Sequence, residues 1–150
     1  MSGDAITFFV PGIPIAKGSA KGFYNQKARR VVIMQTNRDK QKPWASMIAY
    51  AAQENRVPLI LDGPVFVGML FQFLRPKKHF KGAAMVLRGD APTHHVTKPD
   101  SDKTARCVLD ALTGIAWRDD SQAQITEARK IYSDAPGVWI TVSARFRAED

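Results

Sequence analysis

The chain has 150 residues, 45% of them hydrophobic, a single cysteine, and 22 Lys and Arg against 14 Asp and Glu, for a formal charge of +8. That length suits one domain whose core needs no structural metal, lone Cys107 excludes an intramolecular disulfide, and the positive excess points to phosphate-bearing partners, nucleic acid before an anionic membrane. The start of the sequence shows no secretory signal pattern, and the most apolar region, 57–74, is broken by Asp62, Gly63, Pro64 and Gln72, so a reducing cytoplasm is the expected location.

Residues 6–10, closed by Pro11 and Gly12, form a short β-branched and aromatic run that reads as a first strand. The segment to residue 35 carries Lys17, Lys21, Lys27, Arg29 and Arg30 among glycines, and reads as a basic loop or irregular hairpin. Over 43–54, Trp44, Met47, Ile48, Ala51 and Ala52 recur at helical spacing, with Pro43 expected in the first turn, where no amide hydrogen is needed. Residues 65–74 are apolar on both alternating faces, the pattern of a central strand covered on both sides.

The stretch 75–98 holds Pro76, Gly82, Gly89 and Pro92, shows no periodicity, and carries Arg75, Lys77, Lys78, Lys81 and Lys98. A connection this long inside a compact domain is commonly a binding or active-site loop. Ala105, Val108, Leu109 and Leu112 then place a helix from Ser101 or Asp102 to Thr113, with Gly114 suited to a left-handed stop. Residues 125–132 and 138–146 read as two strands joined through Ala135, Pro136 and Gly137 in an antiparallel hairpin. The sum is a single α/β domain, a mixed β-sheet with helices packed on it.

The most informative segment is KPDSDKTARCVLDALTGIAWRDDSQ, residues 98–122, which puts Asp100 and Asp102 at the entrance of that helix and Asp119 and Asp120 beyond its other end. Each pair has a plain structural explanation. An acid at a helix entrance caps backbone amides for about 1 kcal/mol, and an acid in a turn bonds its own backbone. One acid would suffice for each, whereas the sequence supplies two. Carboxylates amid positive charge suit a hard cation, Mg²⁺ or Mn²⁺, set between them and a phosphodiester. The helix spans roughly 18 Å, so the pairs can meet only if the chain after Gly114 folds back along it.

Arg106 lies one turn beyond Asp102, with Asp110 one turn further. The three could form a surface ion-pair ladder, or Arg106 could reach the scissile phosphate, with Lys103 and Lys98 as competitors. His79, His94 and His95 have no second cysteine to complete a zinc set and read as loop residues, and Cys107 reads as core packing rather than a nucleophile. Two further classes stay open: a basic DNA-binding recombination accessory protein whose acids only cap and turn, and an enzyme on small nucleotides, which the missing glycine-rich phosphate loop disfavours.

KPDSDKTARCVLDALTG followed by WRDDSQ resembles the RusA family of Holliday junction resolvases, found in phages and prophages, with a D-x-D pair opening a helix, then D-A-L and a W-x-D-D-x-Q turn. LRPKKHF at 74–80, VPGIPIAKG near the start and PGVWI near the end add weaker likeness. The resemblance implies a homodimeric, Mg²⁺- or Mn²⁺-dependent endodeoxyribonuclease that cuts four-way junctions in recombination and repair. It puts the metal on Asp100, Asp102 and Asp120, with Asp119 less favoured. The family's basic residue one turn into the helix, often lysine, falls on Arg106, leaving Lys103 as the alternative. Lys17, Lys21, Arg29, Arg75, Lys77, Lys78 and Lys98 are the expected DNA contacts.

Overall fold

The computed structural model describes residues 5–18, 20–27, 29–35 and 38–145. In chain order these form β1 (Ile6–Pro11), β2 (Ala20–Asn25), β3 (Arg30–Gln35), α1 (Arg38–Glu54), β4 (Val65–Phe73), β5 (Phe80–Lys81), β6 (Val86–Leu87), α2 (Ser101–Leu112), β7 (Ala123–Tyr132) and β8 (Gly137–Ser143), with 3-10 turns at Lys77–His79 and Asp120–Gln122. The main sheet has the order β1-β8-β4-β7, while β2-β3 and β5-β6 are separate antiparallel ribbons. The architecture is mixed α/β, two helices packed on one mixed sheet.

Alternation builds the core. Val67, Met69 and Phe71 of β4 register with Val142, Ile140 and Val138 of β8, and those in turn with Ile6, Phe8 and Val10 of β1. This face receives Trp44, Ile48 and Ala52 from α1 and Ala105, Val108 and Leu112 from α2. Each large side chain so buried contributes about 1.5–3 kcal/mol. Gly137 is required where β8 passes β1, because a Cβ there would collide with the Val10 carbonyl and the Phe9 ring.

Three expectations are revised. The strand 65–74 is central but has helices on one face only; on the other, Phe66 and Leu70 are half-buried, and Trp139 packs on Phe9 at 4.9 Å between ring centroids. Large side chains on that face shield one another, which makes a one-sided strand read as two-sided. Helix α1 begins at Arg38, so Pro43 lies inside it rather than in its first turn. Its polar opening, RDKQK, has no apolar periodicity to announce it.

The third revision matters most for the site. β7 and β8 are not a hairpin: β4 lies between them, parallel to β7 and antiparallel to β8. The connection steps across the end of β4, where Ser133 N donates to Phe73 O (2.9 Å) and the buried Gln72 amide donates to Ala135 O (2.6 Å). Consecutive strands are usually neighbours, and the Ala-Pro-Gly turn gives no sign of an intervening strand. β4, α2 and β7 thus form a parallel β-α-β unit, and ligands of such units gather at the carboxyl ends of the strands. Phe146, expected at the end of the last strand, lies outside the described residues.

Candidate active site

Helix α2 is amphipathic, and burial of Ala105, Cys107, Val108 and Leu112 fixes which residues it turns outward. Asp102, Arg106 and Asp110 lie on the exposed side. Asp100 is the N-cap residue, yet its side chain makes no capping hydrogen bond. The Thr104 hydroxyl braces this turn instead, donating to the backbone oxygens of Asp100 (3.1 Å) and Ser101 (3.0 Å). The capping explanation therefore does not account for Asp100. The ion-pair ladder is also absent among the described residues, because Asp110 pairs with Lys17 at 3.0 Å. Asp102 and Arg106 instead line a hollow of about 320 Å³ with Leu109 and the β7 residues Ile125 and Ala128.

The loop that delivers Asp100 is fastened to β7. Tyr132 N donates to Thr93 O (2.9 Å) and His95 N to Lys130 O (3.0 Å). Lys130 Nζ then donates to Thr97 O (2.7 Å) and Pro99 O (2.6 Å), the last two fixed points before Asp100. Burial lowers the Lys130 pKa, with the Asp100 carboxylate opposing that shift. This lysine escapes sequence reasoning because, beside Arg129 and Glu127, it reads as one more surface charge of the strand. The available signal is its parity: it shares the helix-facing side of β7 with Ala128 and Tyr132. Beneath the loop, buried His95 stacks on Phe73 with centroids 4.0 Å apart.

The second acidic pair has a different character. Asp119 caps the 3-10 turn, accepting from Ser121 N (2.9 Å), while Gln122 accepts from Asp119 N and donates to the Ile60 and Gly63 oxygens. The Ser121 amide holds the Asp119 carboxyl below the usual carboxylate range. Arg118 completes the anchor on Leu61 O and Asp62. The structural explanation is therefore correct for Asp119. Asp120 is exposed beside it and is not the cap residue of that turn.

Within one chain the two pairs do not meet. Asp100 stands near Lys130, whereas Asp120 precedes Ala123, and the seven steps of strand between those positions cover roughly 23 Å. After Gly114, left-handed at φ 89°, the chain does reverse, but it places Asp119 and Asp120 at the far end of α2. Among the described residues, no three His, Cys, Asp or Glu side chains are grouped to hold a metal.

The basic candidates divide by place. Arg75, Lys77 and Lys78 follow the carboxyl end of β4, and Lys98 lies in the fastened loop, all at the Asp100 end of the sheet. Lys17 is committed to Asp110, and Lys103, half-buried, is engaged and accepts from Lys17 N through its backbone oxygen. Arg29 is exposed at the β2-β3 turn with φ 51°; Lys21 lies in β2, and its side chain is outside the described residues. No helix among the described residues is long and apolar enough to cross a membrane.

A parallel β-α-β unit with exposed carboxylates at the helix entrance and cations around the strand ends is an arrangement suited to a phosphodiester. The family model "Endodeoxyribonuclease RusA" matches residues 11–143, and the chain belongs to that family of DNA-cutting enzymes. It is also 32% identical over 148 residues to the uncharacterized protein YqaN of Bacillus subtilis (strain 168), an alignment covering 93% of this chain and 96% of that one.

Proposed function

We propose that the protein is a homodimeric, divalent-metal-dependent endonuclease that resolves four-way DNA junctions, and that each active site is shared between protomers. The observation that carries this reading is the separation of Asp100 and Asp102 from Asp120 along an exposed seam. The outer edge of β7 is paired by residues 93–95 only near its carboxyl end. Over 123–129 no strand partner lies on that edge among the described residues, and Ile125 there is 49% exposed beside half-buried Leu109. An unpaired edge with apolar side chains invites a second copy. A two-fold axis across the seam sets α2 against its copy in the opposite direction and brings the partner's Asp120 toward Asp100 and Asp102. A two-fold dimer also matches the symmetry of a four-way junction.

The donor chemistry fits a hard cation: Asp100 and Asp102 are exposed carboxylates, Asp100 makes no capping hydrogen bond, and Asp119, with one oxygen taken by its cap, is the less favoured ligand. Mg²⁺, or Mn²⁺ in its place, would be held by Asp100, Asp102 and the partner's Asp120, and when bound it supplies an activated water and charge neutralisation at the phosphate. Arg106, one turn from Asp102 in the same hollow, supplies a planar two-pronged donor to the scissile phosphate. Lys98, Lys77 and Lys78 hold flanking phosphates, and Lys130 keeps the Asp100 loop in place.

The test is cleavage of matched four-way and linear DNA with Mg²⁺ or with chelator, beside Asp102→Asn. The expected result is metal-dependent, paired incision of the four-way substrate, abolished in Asp102→Asn while binding persists. Undiminished cleavage by that variant removes Asp102 from the site.

A further inference from the structure

We propose that a second site, a hollow at the carboxyl ends of β4 and β7, receives one unstacked nucleobase of the bound DNA. The inference rests on the nuclease reading above and adds to it the feature by which disrupted duplex is recognised. The hollow measures about 480 Å³, inside the range of roughly 300–1,000 Å³ typical of small-ligand pockets. Its walls are apolar and aromatic: Leu74, Phe80, Leu87 and Tyr132. Leu74 is 52% exposed and Leu87 48%, so both present apolar surface to a ligand.

The polar groups suit a base rather than a lipid or an aliphatic ligand. The Arg75 guanidinium lies 5.4 Å from the centroid of the Tyr132 ring and is held there by a 2.7 Å hydrogen bond to Pro92 O. Both its hydrogen bonds among the described residues use Nη1, so Nε and Nη2 stay available to a ligand. Asp134 also lines the hollow and can accept from an exocyclic amine. A flat solute with apolar faces and a polar edge satisfies this combination. Next to it, a hollow of about 290 Å³ is lined by Lys78 and by Arg88, the latter paired with Asp90 at 3.5 Å, so Lys78 is the cation placed to take the phosphate of the same nucleotide.

Position supports the assignment. Tyr132 lies two residues beyond Lys130, about 7 Å along the strand, and the loop from Thr93 to Asp100 ties the two places together. A base held here would sit within a nucleotide or two of the Asp100 carboxylate. Branched DNA gives up such a base most cheaply, because its pairing and stacking are already interrupted.

The test uses a single-stranded oligonucleotide with one 2-aminopurine, with chelator present, so that neither metal nor cleavage is involved. Wild-type protein is expected to change the fluorescence, and Tyr132→Leu to weaken binding by about 5- to 150-fold, the range for loss of one base stack. Leu74→Trp, at a half-exposed position that tolerates substitution, fills the hollow and is expected to abolish the signal even if Tyr132→Leu is unstable. No fluorescence change with wild-type protein, or an equal change with Leu74→Trp, overturns the pocket. Failure of the nuclease reading registers separately, as absence of Mg²⁺-dependent junction cleavage by the wild-type enzyme.

Discussion

Replacing Lys130 by methionine tests how the loop before Asp100 is held. The substitution keeps most of the aliphatic stem and removes the ammonium that bonds Thr97 O at 2.7 Å and Pro99 O at 2.6 Å. Hydrogen bonds to a charged donor are worth about 1.5–3 kcal/mol each, but burial already disfavours this ammonium, so a net stability loss of about 1–3 kcal/mol is expected. For a chain of this size that lowers the melting temperature by roughly 2–4 °C per kcal/mol. The effect on rate should be larger, since displacing a reacting group by about 1 Å can cost on the order of 100-fold. The assay pairs thermal melts with single-turnover junction cleavage across a Mg²⁺ titration. The expected outcome is a modestly destabilised protein that cleaves about 100-fold more slowly and needs more Mg²⁺, with Lys130→Arg recovering much of the rate. A wild-type rate and Mg²⁺ dependence in Lys130→Met would refute the idea that these two hydrogen bonds position Asp100.

Asp119→Ala should cost about 1 kcal/mol of stability by removing the cap on Ser121 N, whereas Asp120→Asn should melt like wild type and lose cleavage; equal effects of both on cleavage would contradict the division. Burial lowers the pKa of His79 and of His95, with Arg75 adding to the first and Lys130 to the second. Below about pH 6.5 the unfolded chain therefore takes up protons that the native state refuses, so stability is full above that pH and falls as the pH drops toward the native values. Melting temperatures from pH 8 to 5 should show this fall, and His95→Phe should flatten it. The buried Cys107 thiol is pushed up to about 11, chiefly by burial, so it should resist alkylation at pH 8 until the protein is unfolded; rapid native labelling would contradict its place in the core.

Periodicity made α2, β4, β1 and the core face of β8 legible, because each buries one face and that requirement writes itself into spacing. What it could not reveal was pairing. Nothing in residues 133–136 states that the chain crosses the end of β4, since the hydrogen bonds responsible come from Gln72 and Phe73, about 60 residues away. The acidic constellation was legible as residue types and illegible as geometry. Asp119 differs from Asp120 through a capping box, whose D-x-x-Q signature stands in the sequence at 119–122. Lys130 differs from any surface lysine only through two carbonyls contributed by another segment. Among the expected DNA contacts, Lys17 is spent on Asp110, a pairing 93 residues apart that no local pattern encodes.

The most direct test of a shared active site is complementation between two inactive variants. Asp102→Asn and Asp120→Asn are purified, mixed, allowed to exchange subunits, and assayed on a four-way junction with Mg²⁺. If Asp120 serves its partner, half of the sites in each mixed dimer combine both lesions and the other half combine none, so the mixture should nick single strands where neither parent cuts. If all the carboxylates act within one chain, every site carries a lesion. An inactive mixture, with subunit exchange demonstrated, would contradict the shared site.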